Sequence, residues 1–144
     1  MNKVILIVAA AWACALAGQA QARDTRLLLP VDDAIKQGRS EGIIGDDIVL
    51  RFGKGNRGGH AKTIGTDVAN RKTNALNKSD VEACNWVFLS SLKALQEGAR
   101  GVNAKAVVEI VSYYKKREFS SATEFECHVG TLMAGVALKG SYAK

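Results

Sequence analysis

Four cations, Arg51, Lys54, Arg57 and Lys62, share the stretch RFGKGNRGGHAKT with His60 and four glycines. Glycines let a backbone turn its N–H groups inward, and cations beside such a turn can hold an anion. A phosphate loop of the nucleotide-binding type needs G-x-x-x-x-G-K-[ST], placed between a strand and a helix. Here His60-Ala61 precedes Lys62-Thr63 where that pattern has glycine, and the following IGTDVANRKT is strand-like. No nucleotide is expected. Two readings of the loop stay open. It is an anion-contacting loop using Arg51, Lys54, Arg57 and Lys62, or a mobile basic loop between two strands.

The histidines are His60 and His128. With a carboxylate such as Glu126 they are the candidate metal ligands, although nothing in their spacing demands a metal. The alternative is one solvent histidine and one strand histidine. Cys84 and Cys127 form an even pair once Cys14 is set aside with the leader. In an exported chain such a pair reads as a disulfide, which would close a loop worth about 4 kcal/mol of chain entropy at most. A redox pair or two metal ligands are the alternatives, but redox pairs favour C-x-x-C spacing and two thiols alone make a poor zinc site. Gly38-Arg39-Ser40-Glu41-Gly42 spells G-x-S-x-G, but it follows a helix instead of joining a strand to one and is no nucleophile elbow; Cys-His catalysis would need a free thiol. The pairs Asp32-Asp33 and Asp46-Asp47 are adjacent in sequence; on a strand, neighbours point to opposite faces and make no acid/base dyad. Tyr113-Tyr114-Lys115-Lys116-Arg117 mixes aromatics with charge, as nucleic-acid binders do. At a strand end it reads instead as core tyrosine and a solvated turn, and no nucleic acid is expected.

The elements that must position these groups are legible in outline. Arg26–Leu29 reads as a strand. Pro30 then opens a short helix over 31–37, with Asp32 and Asp33 at its positive end and Gly38 closing it. Residues 47–52 alternate as a half-buried strand, and 61–74 form another with Ile64, Thr66 and Val68 on one face. Ser79 and Glu82 make a capping box ahead of Val81, Cys84, Phe88, Leu92, Leu95 and Ala99, one face of a helix over 80–100 with Gly101 as its cap. Residues 104–114 are a β-branched strand. Residues 124–140 are one strand or two, with Phe125, Cys127 and Val129 on one face and Glu126 and His128 on the other. Gly130 and Gly135 mark bulges or close packing there.

The first 22 residues set the compartment. Met1-Asn2-Lys3 is a short positive start, Val4–Ala17 is an uncharged apolar run, and Ala20-Gln21-Ala22 is a small-x-small cleavage signal. That is a secretory signal peptide in its three parts, with a retained anchor as the alternative. Trp12 and Ala11 stand where a lipoprotein signal wants other residues, so lipid attachment at Cys14 is a minor alternative. Cleavage removes one Lys and no acid, so the net charge of +6 becomes +5 on the remaining 122 of 144 residues. A basic chain in the envelope is drawn to anionic lipid, cell-wall polymer or acidic protein without specifying one. No transmembrane segment is expected after cleavage.

The stretch ACNWVFLSSLKALQEGARGVNAKAVVEIVSYYKK, with TEFECHVGTLMAGVALKG after it, resembles a group of small exported proteobacterial proteins of unknown function. These often carry the name excinuclease subunit, which neither an intact phosphate loop nor the leader supports here. More distantly, a helix followed by Gly101, Asn103, Ala104, Val107 and Val108 is similar to the YbjQ-type heavy-metal-binding family and to the RcsF envelope-stress sensor lipoproteins. That resemblance implies a disulfide-bonded α/β fold and an envelope location. It carries no ligand set over.

The expectation is therefore one α+β domain over 23–144. One main amphipathic helix packs on a mixed sheet of four to six strands and is stapled to a strand through Cys84–Cys127. The protein is expected to be periplasmic or secreted and non-enzymatic, with no cofactor. Its expected role is binding or sensing, with an envelope protein or an anionic envelope component as partner. A metal-binding module, or a small periplasmic hydrolase, is the alternative.

Overall fold

The structure is a computed structural model and describes residues 22–60 and 62–144. The leader, Cys14 included, lies outside the described residues except for its last position. The chain runs β1 (Thr25–Pro30), α1 (Val31–Ser40), β2 (Val49–Phe52), β3 (Thr63–Asn74), α2 (Asp80–Gly101), β4 (Ala106–Ser112), β5 (Glu124–Val129) and β6 (Met133–Ala143), with a short 3₁₀ turn at Tyr114–Lys116. It is the α+β arrangement expected.

The strands make one six-stranded mixed sheet organised by β6. One edge of β6 pairs antiparallel with β3 from Asn74↔Met133 to Thr63↔Ala143. Its other edge pairs β5 at Gly135 and Ala134, then β4 from Ser112↔Leu138 to Ala106↔Ala143. β1 extends the sheet beyond β5, antiparallel, and β2 beyond β4, parallel.

Helix α2 covers the inner face. Ser79 Oγ accepts the Glu82 N–H at 3.1 Å, which satisfies one of the free donors of the first turn. Cys84, Phe88, Leu92, Leu95 and Ala99 are fully buried, against Val107, Ile110, Phe125, Val136 and Leu138 of the sheet. Each large apolar side chain buried in this way contributes roughly 1.5–3 kcal/mol.

A helical step of four and a strand step of two then bring two pairs into line. Cys84 meets Cys127 with the Cα atoms 5.9 Å apart in a disulfide. Next to it Phe88 stacks on Phe125, with ring centroids 3.8 Å apart and planes 8° from parallel. The staple joins helix to strand as the alternation of β5 requires.

Several local readings need correction. Helix α1 does not stop at Gly38 but runs to Ser40. Gly38 is instead buried where α1 meets α2, and a Cβ there would press on the Leu89 side chain. Val81 was placed on the apolar face of α2, yet it is exposed. Gly101 belongs to α2, and the left-handed residue that follows is Asn103, φ 54°. The Ile64–Val68 face of β3 is open to solvent, while Ala69 on the opposite face is buried. Residues 124–140 are a hairpin whose second strand continues to Ala143.

Candidate functional site

The glycine-rich loop leaves β2 and folds back on β4. There Glu109 adopts φ 53° in the middle of an apolar strand, where the register of β4 slips. A non-glycine residue in the left-handed region inside a strand bends it and re-aims its side chain. Glu109 Oε1 accepts the Gly55 N–H at 3.0 Å, and Oε2 faces Arg57 Nε at 3.3 Å. The Glu109 N–H in turn donates to the Asn56 carbonyl at 3.1 Å. An internal carboxylate thus sits where an anion would be cradled.

The other three cations are spread out. Arg51 lies along Gly58, so close that a Cβ on that residue would meet its guanidinium. The Lys54 N–H donates to Ser120 Oγ at 2.8 Å. Lys62 is exposed, and its carbonyl accepts the Lys144 N–H. Arg51 lies against Gly58 and Arg57 against Glu109; the loop does not gather four cations at one point. Glu109 was missed by sequence reasoning, although a lone acid in AVVEIVS is the kind of signal that could have found it.

A second cluster forms on the outer face of β1 and β5. Strand alternation sends Glu126 and His128 outward, opposite Cys127, and register sets Arg26 across from His128. His128 Nε2 lies 2.6 Å from Glu126 Oε1, and its Nδ1 lies 3.0 Å from Asp24 Oδ1. Arg26 Nη2 donates to Glu126 Oε2 at 3.0 Å. Tyr114 covers the imidazole, with ring centroids 3.6 Å apart. Ionised carboxylates only accept, so the ring serves both neighbours only when both its nitrogens carry hydrogen. Burial pushes the Glu126 carboxyl up, but hydrogen bonds from His128 and Arg26 outweigh it and hold the group below its usual value.

Both nitrogens of His128 are therefore engaged by carboxylates. His60 lies in the loop just before β3, which begins at Thr63 opposite Ala143, the far end of β6 from the Ala134–Gly135 pairing with β5 that carries His128. Among the described residues no group of three or more His, Cys, Asp or Glu is placed to hold a metal ion. Asp24 and Arg26 were not singled out in the sequence, because their meeting with His128 depends on strand pairing across about a hundred residues.

The third feature is a groove of about 480 Å³ between α1 and the start of α2. Gln37 and Glu41 form one side; Lys78, Val81, Glu82, Asn85 and Trp86 line the other, with Leu89 also contributing. A volume of this size is in the range of ligand clefts. Trp86 falls outside the buried stripe of α2 by helical periodicity alone, and it is exposed. That position was the available sequence signal for this surface. Among the described residues no helix is long and apolar enough to cross a membrane. The chain matches no protein-family model, no curated protein and no solved structure.

Proposed function

We propose that the chain is an exported, disulfide-stapled module that binds at the cell envelope and does no chemistry of its own. One observation carries this reading. Cys84 and Cys127 are joined between α2 and β5, fully buried. Disulfides persist in oxidising compartments, where a small domain gains most from one. The leader-like first 22 residues and the basic balance of the chain agree with it.

Three of the groups that could catalyse are occupied in structural roles. Both thiols are bonded to each other, and His128 is held between two carboxylates. What remains open is surface, and the groove beside Trp86 is a concave part of mixed character. An envelope protein or an anionic envelope component is the partner this reading calls for. Cell fractionation with thiol labelling tests it. The protein should leave with the periplasmic fraction and resist alkylation at Cys84 and Cys127 until reduced. Retention in the cytoplasm with both thiols open to alkylation would refute it.

A further inference from the structure

The longest strand of the sheet lies at an edge. β3 spans 12 residues, against 6 for β1 and 4 for β2 at the other edges. Among the described residues it pairs with β6 alone. A free edge presents unpaired N–H and C=O groups, and proteins usually keep such edges short or cover them.

Contacts on both sides of β3 show which groups face out. The Val68 N–H donates to Asp67 Oδ1 at 2.8 Å, and the Asn70 carbonyl accepts Arg71 Nη1 at 3.3 Å. Both partners are side chains of β3 itself. Ala137, opposite Asn70, turns its carbonyl away from β3, to the Tyr113 N–H. In an antiparallel strand the N–H and C=O of one residue point the same way, and the direction alternates along the chain. Thr66, Val68, Asn70 and Lys72 therefore turn their backbone groups outward.

This edge is complementary to itself. A twofold antiparallel pairing with a second copy must set outward residues against outward residues. Centred on Ala69, it sets Val68 against Asn70 and Thr66 against Lys72, each pair exchanging both backbone bonds. The same register puts Asp67 directly opposite Arg71 on both sides of the axis, and only the small Ala69 on the axis. Opposite charges in such cross-strand pairs are stabilising, and like charges are not. Centring on Asp67 or on Arg71 would bring like charges face to face. Centring on Val68 or on Asn70 leaves Asp67 opposite Ala69 or Thr73. The two side chains that cover the free edge in the single chain are thus the two that pair across it.

We infer that two copies of this chain join edge to edge through β3, in an antiparallel pairing centred on Ala69 that makes one continuous sheet. The inference is independent of the export reading and of whatever the groove beside Trp86 binds.

Sedimentation equilibrium of the purified protein, with amide exchange followed at low and high protein concentration, tests it. The expected result is a dimer that forms with concentration and, as it forms, slower exchange at Thr66, Val68, Asn70 and Lys72. Arg71→Asp sets a carboxylate opposite Asp67 and should weaken the dimer by roughly tenfold or more. Asp67→Arg combined with Arg71→Asp restores the pairs and should recover most of that loss. Asp67 also accepts the Tyr142 hydroxyl, so Val68→Pro carries the test if the exchanged variant fails to fold. It removes an outward N–H and leaves the β6 ladder intact, and should weaken the dimer by a similar factor. Val102→Ser, beyond the end of α2, should change nothing. Circular dichroism melts show which variants fold. Four outcomes overturn the inference: a monomer up to about 1 mM, a dimer indifferent to Arg71→Asp and Val68→Pro, slowed amides that lie outside β3, or slowing at β3 only when a different protein is added.

Discussion

Replacing Gly98 with alanine sets two physical effects against each other. Gly98 lies inside α2, where alanine is favoured by about 1 kcal/mol on helix propensity. The sheet, however, reaches the helix at this point. The Tyr142 hydroxyl donates to Asp67 Oδ2 at 2.6 Å directly over Gly98. A Cβ on Gly98 would run into that hydroxyl, 2.9 Å from Tyr142 Cζ and 3.3 Å from Asp67 Oδ2. Tyr142 is an aromatic side chain with little room to bend aside. The substitution must shift the packed strand, at about 1–3 kcal/mol, or break a hydrogen bond to a charged group, at about 1.5–3 kcal/mol. After the propensity gain, a net loss of up to about 2 kcal/mol remains. For a domain of this size that lowers Tm by up to about 10 °C. Urea unfolding of Gly98→Ala, Tyr142→Phe and the double variant measures it. The double variant should be less destabilised than the two single losses added together, because removing the hydroxyl opens the space. A Gly98→Ala protein more stable than the parent would show that helix propensity governs this position and refute the close-approach reasoning.

Other outcomes follow from the same contacts. Gln96 is fully buried, and its amide holds the Gly45 N–H at 3.0 Å and the Gly45 carbonyl at 2.9 Å. Gln96→Leu should cost about 1–3 kcal/mol and speed amide exchange at Gly45, read by hydrogen exchange. Glu109→Ala should release the loop at Gly55 and Arg57, raising the rate of limited proteolysis there with little change in Tm. Glu126 has a folded value below its ordinary 4.5. Its contribution is in place above that ordinary value and is lost as pH falls through the folded one. Glu126→Gln should therefore flatten the acid side of the stability profile, measured as urea midpoints between neutral pH and about pH 3. An acid limb unchanged in that variant would place the loss on other carboxylates.

Much of the fold could be read from local pattern. The capping serine, the apolar stripe and the alternation of FECHV locate α2 and turn Cys127 toward it, because those signals are local and the core enforces them. Glycine was read less well. Gly38 reads as a helix end and Gly98 carries no sequence signal of its own, yet both are places where another element comes close. Nothing within ten residues of either distinguishes a stop from a contact. The cluster around His128 was half visible. Glu126 and His128 share a strand face, but Asp24 and Arg26 reach them only through the β1–β5 pairing. The basic loop was read for its cations, whereas its conformation is set by the acid on β4 that it closes around. Trp86 falls off the apolar stripe of α2, a signal the sequence analysis did not use, and it is exposed.

The central claim is that this chain is an exported domain held by one disulfide. The most direct measurement is the intact mass of the protein recovered from the periplasm of an expressing cell, taken with and without reductant. The account predicts a chain that begins at Arg23 and gains two hydrogens on reduction, at Cys84 and Cys127. A chain that retains residues 1–22, with both of those cysteines free before reduction, would contradict it.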